Sequence, residues 1–141
     1  MDPKTVAVAG GSGFIGRAIV RRLAATGDLN VRVLTRNPDA ARARLDVAGV
    51  EFLRADIGDP ASLNGALKGA TAIVDAIQFE GYPIENVRTG QTFERVDYGG
   101  VVALLAAAKV AGVSQFIYLS GAAADENSSQ PGYRANRRSS S

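Results

Sequence analysis

The chain has no cysteine and no histidine among its 141 residues. The first absence removes disulfides and thiolate metal sites. The second removes imidazole as a general base or metal ligand, so acid–base work falls to Tyr, Lys, Asp and Glu, and no metal centre is expected. Long apolar runs are missing too, since none approaches the ~20 residues that a membrane-spanning helix needs. The first residues pass almost at once into a strand pattern, which leaves no room for a signal peptide; a cytoplasmic protein is the expectation. No internal repeat longer than a β-α unit is visible. What is present is ordinary for a globular protein, with 46% hydrophobic and 21% charged residues. This length suits one domain and can bury a core without staples.

The formal net charge is +2, unevenly spread. Arg134, Arg137 and Arg138 crowd the last eight residues, and without them the remainder is slightly acidic. Clustered arginines can touch nucleic acid, but no aromatic stacking platform accompanies these. A solvated tail is the simpler reading, and no nucleic-acid partner is expected.

Along the chain, Thr5-Val6-Ala7-Val8-Ala9 reads as a buried parallel strand that stops at Gly10. From Phe14 to Thr26 the period becomes helical. Phe14, Ile15, Ala18, Ile19 and Leu23 share one face, Arg17, Arg21 and Arg22 lie largely elsewhere, and Gly27 ends the helix. Val31 to Thr35 is a second strand, and Asn37-Pro38-Asp39 leads into a short Ala/Arg-rich helix. Val50 to Arg54 is a third strand, followed by a helix start at Asp59-Pro60. Ala72 to Ala76 is a fourth strand and Gln78 to Gln91 an aperiodic insertion. Thr92 to Ala111 reads as the longest helix, ended by Gly112, and Gln115 to Leu119 as a fifth strand.

Strands alternating with helices imply right-handed crossovers and a parallel sheet covered on both faces. The expected architecture is a Rossmann-type, doubly wound α/β fold of five strands in the order 3-2-1-4-5, with a ligand crevice between the first and fourth. Residues 1–121 read as one nucleotide-binding domain. Residues 122–141 are polar, with Gly, Pro and a Ser-Ser-Ser end, and read as a poorly ordered tail.

The sharpest motif is Gly10-Gly11-Ser12-Gly13-Phe14-Ile15-Gly16, placed between a strand and a helix. In that context Gly10 permits a tight turn, Gly13 lets a diphosphate approach the backbone, and Gly16 lets the helix pack closely. The helix N-terminus supplies free N–H groups and a partial positive charge that suit the diphosphate. No Gly-Lys-Ser/Thr follows, so a P-loop is excluded here. At the end of the second strand an NAD site usually carries an acidic residue for the ribose 2′-hydroxyl. Thr35-Arg36-Asn37 stands there instead. The Arg36 guanidinium either pairs a 2′-phosphate or is merely solvated, and Arg17 is a candidate second cation. NADP(H) is therefore expected in preference to NAD(H).

Three further residues carry open alternatives. Asp56, with Ile57 beside it, either accepts from an adenine amino group while Ile57 packs on the ring, or serves only the turn. Ser120, at the carboxyl end of the fifth strand, either bonds a substrate oxygen or nicotinamide ribose, or simply ends the strand. Asp75, inside an apolar strand, either faces the crevice or caps a loop. Ala76, ending that strand, is placed beside the cofactor.

Taken together, these residues resemble the short-chain dehydrogenase/reductase superfamily in its extended and atypical branches. The resemblance is carried by residues 10–16, by Asp56-Ile57, by Val96-Asp97-Tyr98-Gly99-Gly100, by Ala106-Ala107-Ala108-Lys109-Val110-Ala111-Gly112-Val113, and by Phe116-Ile117-Tyr118-Leu119-Ser120-Gly121. The stretch from Gln78 to Asn86, with Thr92-Phe93-Glu94, is similar to NAD(P)H-binding relatives of the NADPH-carrying accessory subunit of respiratory complex I. The resemblance implies that Asp56 contacts adenine and that Ser120 lies near the nicotinamide ribose or the reacting carbonyl. It also implies a Tyr-x-x-x-Lys dyad, in which Tyr exchanges a proton with the substrate oxygen and Lys lowers its pKa. Tyr133-Arg134-Ala135-Asn136-Arg137 offers the spacing, with Tyr133 as candidate acid, but has Arg in place of Lys.

A chain lacking the further β-α units that the resemblance implies reads as C-terminally truncated. Three functions follow as expectations: an NADP(H)-binding domain without complete catalytic machinery, a reductase completed by a partner chain, or an assembly protein stabilised by its nucleotide. The exposed edge of the fifth strand is the expected place for self-association or a partner chain.

Overall fold

A computed structural model describes residues 2–78 and 84–119. The elements run β1 (Lys4–Ala9), α1 (Phe14–Ala25), β2 (Leu29–Thr35), α2 (Pro38–Leu45), β3 (Val50–Arg54), α3 (Pro60–Leu67), β4 (Ala72–Asp75), a 3-10 turn (Val87–Thr89), a π-helical turn (Phe93–Tyr98), α4 (Gly99–Ala111) and β5 (Gln115–Tyr118). The strands form one parallel sheet in the order β3-β2-β1-β4-β5, as the alternating pattern predicts. Val8 lies opposite both Val33 and Val74, which sets the register at the centre.

The central strand has apolar side chains on both faces because both faces are covered. Val8, Val31, Val33 and Val74 enter one core with Val20 of α1 and Leu45 of α2. Ala7, Ala9, Leu34 and Ile73 enter the other with Leu63 and Leu67 of α3 and Leu104 of α4. Leu104 is wholly buried, so its truncation to Ala removes about 2–5 kcal/mol.

Chain punctuation follows the turn chemistry. Asn37 caps α2 by accepting from Ala40 N, and Asp59 caps α3 by accepting from Ser62 N, each with Pro at the following position. Gly112 closes α4 in the left-handed region. Two details depart from the sequence reading. The buried face of α1 is Gly16, Ile19, Val20, Leu23 and Ala24, whereas Phe14, Ile15 and Ala18 face outward. The helix starting after Thr92 opens as a π-helical turn before continuing as α4.

Candidate functional site

The strand-to-helix turn after β1 is shaped by three glycines with different duties. Gly10 has φ +76°, and a Cβ there would meet the Ala76 carbonyl oxygen at 2.5 Å, so the turn lies directly against the end of β4. Gly11 faces inward, where a Cβ would press on Val33 and Val20. A Cβ at Gly16 would drive into the Gly10 carbonyl, which is how α1 starts flush with the turn. Gly13 is the N-cap residue of α1; its side gives no side-chain cap, and the first turn contains no acidic residue. A Cβ on Gly13 would meet only the Gly10 oxygen, at 3.4 Å. The helix N–H groups are thus left open toward an anion.

A cavity of about 540 Å³ opens beside this turn, of the size of cofactor sites. Gly10, Ser12 and Gly13 form one end and Ala76, Ile77 and Gln78 the next wall. Arg36, Asn37 and Arg44 line the β2–α2 side, and Asp56 and Ile57 the β3 side. Gln91, Val96 and Leu104 close it from the α4 side. Of the sequence-predicted residues, Gly10, Ser12, Gly13, Arg36, Asp56, Ile57 and Ala76 are therefore brought together. Gly11 and Gly16 shape the turn from behind, and Phe14 and Ile15 project outward, Phe14 being 81% exposed. Ser120 and Tyr133 lie outside the described residues, as does the Arg134–Arg138 tail.

Three readings are sharpened or corrected. Arg17 does not line the cavity, and the second arginine beside Arg36 is Arg44, whose neighbour Arg42 is instead spent on Asp39 and the face of Phe52. Asp56 serves its turn, with Oδ1 accepting from Gly58 N at 2.9 Å, while the residue also borders the cavity. Asp75 does not face the cavity; its Oδ1 accepts from Ile77 N at 3.1 Å and fixes the wall turn. Burial pushes Asp75 up to about 6, with the Ile77 N–H pulling the other way.

Asp97 stands in the sequence only as part of the Val96–Gly100 stretch, with no role assigned to it. It sits on the π-helical turn next to cavity-lining Val96. Burial first, and then the negative charges of Asp75 and Glu85, push it up to about 7. Among the described residues no His/Cys/Asp/Glu group is placed to hold a metal ion, and no helix is long and apolar enough to cross a membrane.

A glycine turn at a helix start beside a cavity lined by Arg36 and Arg44 on the β2–α2 side makes a dinucleotide-type site on a Rossmann sheet. The NAD(P)H-binding family profile matches residues 10–140, and the chain belongs to that family. It is similar to ceramide reductase of Caulobacter vibrioides, 36% identical over 123 residues that cover 87% of this chain and 36% of that protein. It is similar also to photosystem II assembly factor Ycf39 of Guillardia theta, 36% identical over 115 residues, covering 80% of this chain and 33% of that protein. Among solved structures, the NADPH-dependent quinone oxidoreductase QOR2 of Escherichia coli superposes with a TM-score of 0.59 and 26% identity, over 82% of this chain and 34% of that one. The chain therefore spans about a third of each of these proteins.

Proposed function

We propose that the cavity binds NADP(H) in preference to NAD(H). The diphosphate lies on the Gly10–Gly13 turn and the first N–H groups of α1, which include those of Phe14 and Ile15. The 2′-phosphate lies between Arg36 and Arg44, and Asp56 and Ile57 border the adenine. The observation that carries this reading is the pair of arginines, Arg36 and Arg44, lining the cavity where β2 ends in Thr35-Arg36-Asn37. Planar guanidinium forks match a phosphate in charge and geometry, and a 2′-hydroxyl has no use for two of them. The NADPH dependence of QOR2 agrees with this choice. The binding unit is residues 1–121.

Calorimetric titration with NADPH and NADH in parallel tests the assignment. Hydrogen bonds to a charged group are worth ~1.5–3 kcal/mol. Arg36→Ala and Arg44→Ala are each expected to weaken NADPH about 10- to 100-fold while leaving NADH within about twofold. Equal losses for both nucleotides would remove the 2′-phosphate from this side of the cavity.

Two uses of the bound nucleotide are favoured by relatives of different kinds. The reductases suggest hydride donation to a carbonyl, and the assembly factor suggests a nucleotide that stabilises a complex, the role also implied by the complex I resemblance. We favour nucleotide binding without a complete Tyr-x-x-x-Lys dyad, because Arg137 stands where the Lys would be and a guanidinium does not replace the ammonium. NADPH oxidation that is lost in Tyr133→Phe would overturn this in favour of a working reductase. Co-purification with a membrane complex would favour assembly.

A further inference from the structure

Next to cavity-lining Val96, Asp97 feels the charges of two further carboxyl groups, Asp75 and Glu85, and nothing in the nucleotide reading uses the three. Asp75 comes from β4 and is 3% exposed. Glu85 comes from the loop ahead of the 3-10 turn, with Oε1 accepting from Phe93 N at 2.9 Å. Asp97 comes from the π-helical turn, and its buried Oδ1 has no hydrogen-bond partner among the described residues. A buried carboxylate oxygen left without a donor is costly, whereas a neutral carboxyl group is tolerated there.

Arg95 and Asp56, the charged residues placed on neighbouring backbone, are directed elsewhere. Arg95, on the same turn as Asp97, is packed against Gly90. Asp56, on the loop whose Ile57 abuts the first turn of α4, gives its Oδ1 to Gly58 N. Among the described residues, the charges that bear on Asp97 are those of Asp75 and Glu85, both negative. Like charges acting on one another where burial is full or partial cannot all be ionised cheaply.

The cluster is also one contact away from the glycine turn. Asp75 fixes the N–H of Ile77, and a Cβ at Gly10 would lie 2.8 Å from the Ile77 Cα. We propose that Asp97 carries a proton in the folded protein at neutral pH and acts as a pH latch, its ionisation setting negative charge against Asp75 and loosening the wall that supports the glycine turn. The latch itself does not depend on what the cavity binds; its effect on NADPH affinity rests on the nucleotide reading.

The folded value, about 7, lies above the ordinary carboxyl value of 3.8, so the folded state keeps a proton that the unfolded chain has released. The stabilisation is full below the unfolded pKa and is lost as pH rises toward the folded one.

The test is urea denaturation of wild type, Asp97→Asn and the exposed control Asp39→Asn between pH 4 and 9. Asn mimics the protonated carboxyl group in shape. The urea midpoint of Asp97→Asn is expected to rise relative to wild type as pH increases toward 8, with the control showing no such trend. A difference that does not change with pH would overturn the proposal. Should the variant fail to fold, carbon-13 titration of the assigned Asp97 carboxyl group in wild type decides: a midpoint near 7 supports the latch, and one below 5 sinks it. In the second arm, NADPH affinity of wild type should fall several-fold between pH 6 and 8 relative to Asp97→Asn. Parallel pH profiles would overturn the link to the glycine turn. Absence of any NADPH binding would defeat the nucleotide reading and leave the urea result to judge the latch.

Discussion

Gly13 and Gly16 are three positions apart and are glycine for opposite reasons. Gly16 faces its own protein: a Cβ would collide with the Gly10 carbonyl, and the turn and helix would have to part. Gly13 has φ −76° and ψ 176°, extended backbone open to any residue, and little around it to obstruct a methyl group. Gly16→Ala is therefore expected to cost about 1–3 kcal/mol of stability as an overpacked contact, visible as a lower urea midpoint. Gly13→Ala should fold with stability within about 0.5 kcal/mol of wild type and lose nucleotide affinity. Unchanged NADPH affinity in that variant would mean the diphosphate is not laid against this backbone. The motif was legible because strand, glycines and helix agree in one short stretch. Arg44 was not, because in Pro38-Asp39-Ala40-Ala41-Arg42-Ala43-Arg44 no spacing tells which guanidinium reaches the cavity. Only packing does, by placing Arg42 over Phe52.

At the scale of elements, caps were easier to read than the partners of charged residues. Asp59-Pro60 and Gly112 announce a helix start and a helix end from chemistry local to themselves. The C-terminal end of α3 is different. Its C-cap, Lys68, is not in the left-handed region, and the Ala66 and Lys68 carbonyls accept from Arg32 Nη1 at 2.8 and 2.9 Å. Arg32 belongs to β2, more than thirty residues earlier in the chain. A cation at this end also complements the helix dipole. Arg32→Met keeps the stem and removes the donors, and is expected to destabilise by about 1.5–3 kcal/mol in thermal or urea unfolding. Glu51→Gln, which breaks only the exposed ion pair at 3.3 Å, should change stability by less than about 1 kcal/mol. If the two substitutions prove equal, the carbonyl contacts are not what Arg32 contributes. The π-helical turn escaped sequence reasoning for a related reason. Its apolar residues fit a helix, and no spacing in Phe93–Tyr98 marks where the turn widens.

For the molecule as a whole, the two edges of the sheet are unequal. The β3 edge carries Glu51 and Arg54, charges that discourage pairing with another strand. The β5 edge, Gln115–Tyr118, has no charged residue and no Pro, and among the described residues it pairs only with β4. Ile117 and Leu119 are 40% and 39% exposed beside it, and Val102 and Val110 of α4 are exposed as well. The sheet order made this edge foreseeable, but not that apolar side chains would stand open along it, since that depends on how α4 is turned. An uncharged edge strand flanked by exposed aliphatic side chains suits a second copy of the chain. Sedimentation across a wide concentration range should show reversible self-association. Ile117→Lys, which places a charge on that strand without touching the glycine turn, should shift the distribution to monomer and leave NADPH affinity unchanged. A wild-type monomer at every concentration would show that this edge is covered within a single chain. Association that survives Ile117→Lys would place the contact elsewhere, with the exposed aliphatic face of α4 the next surface to substitute.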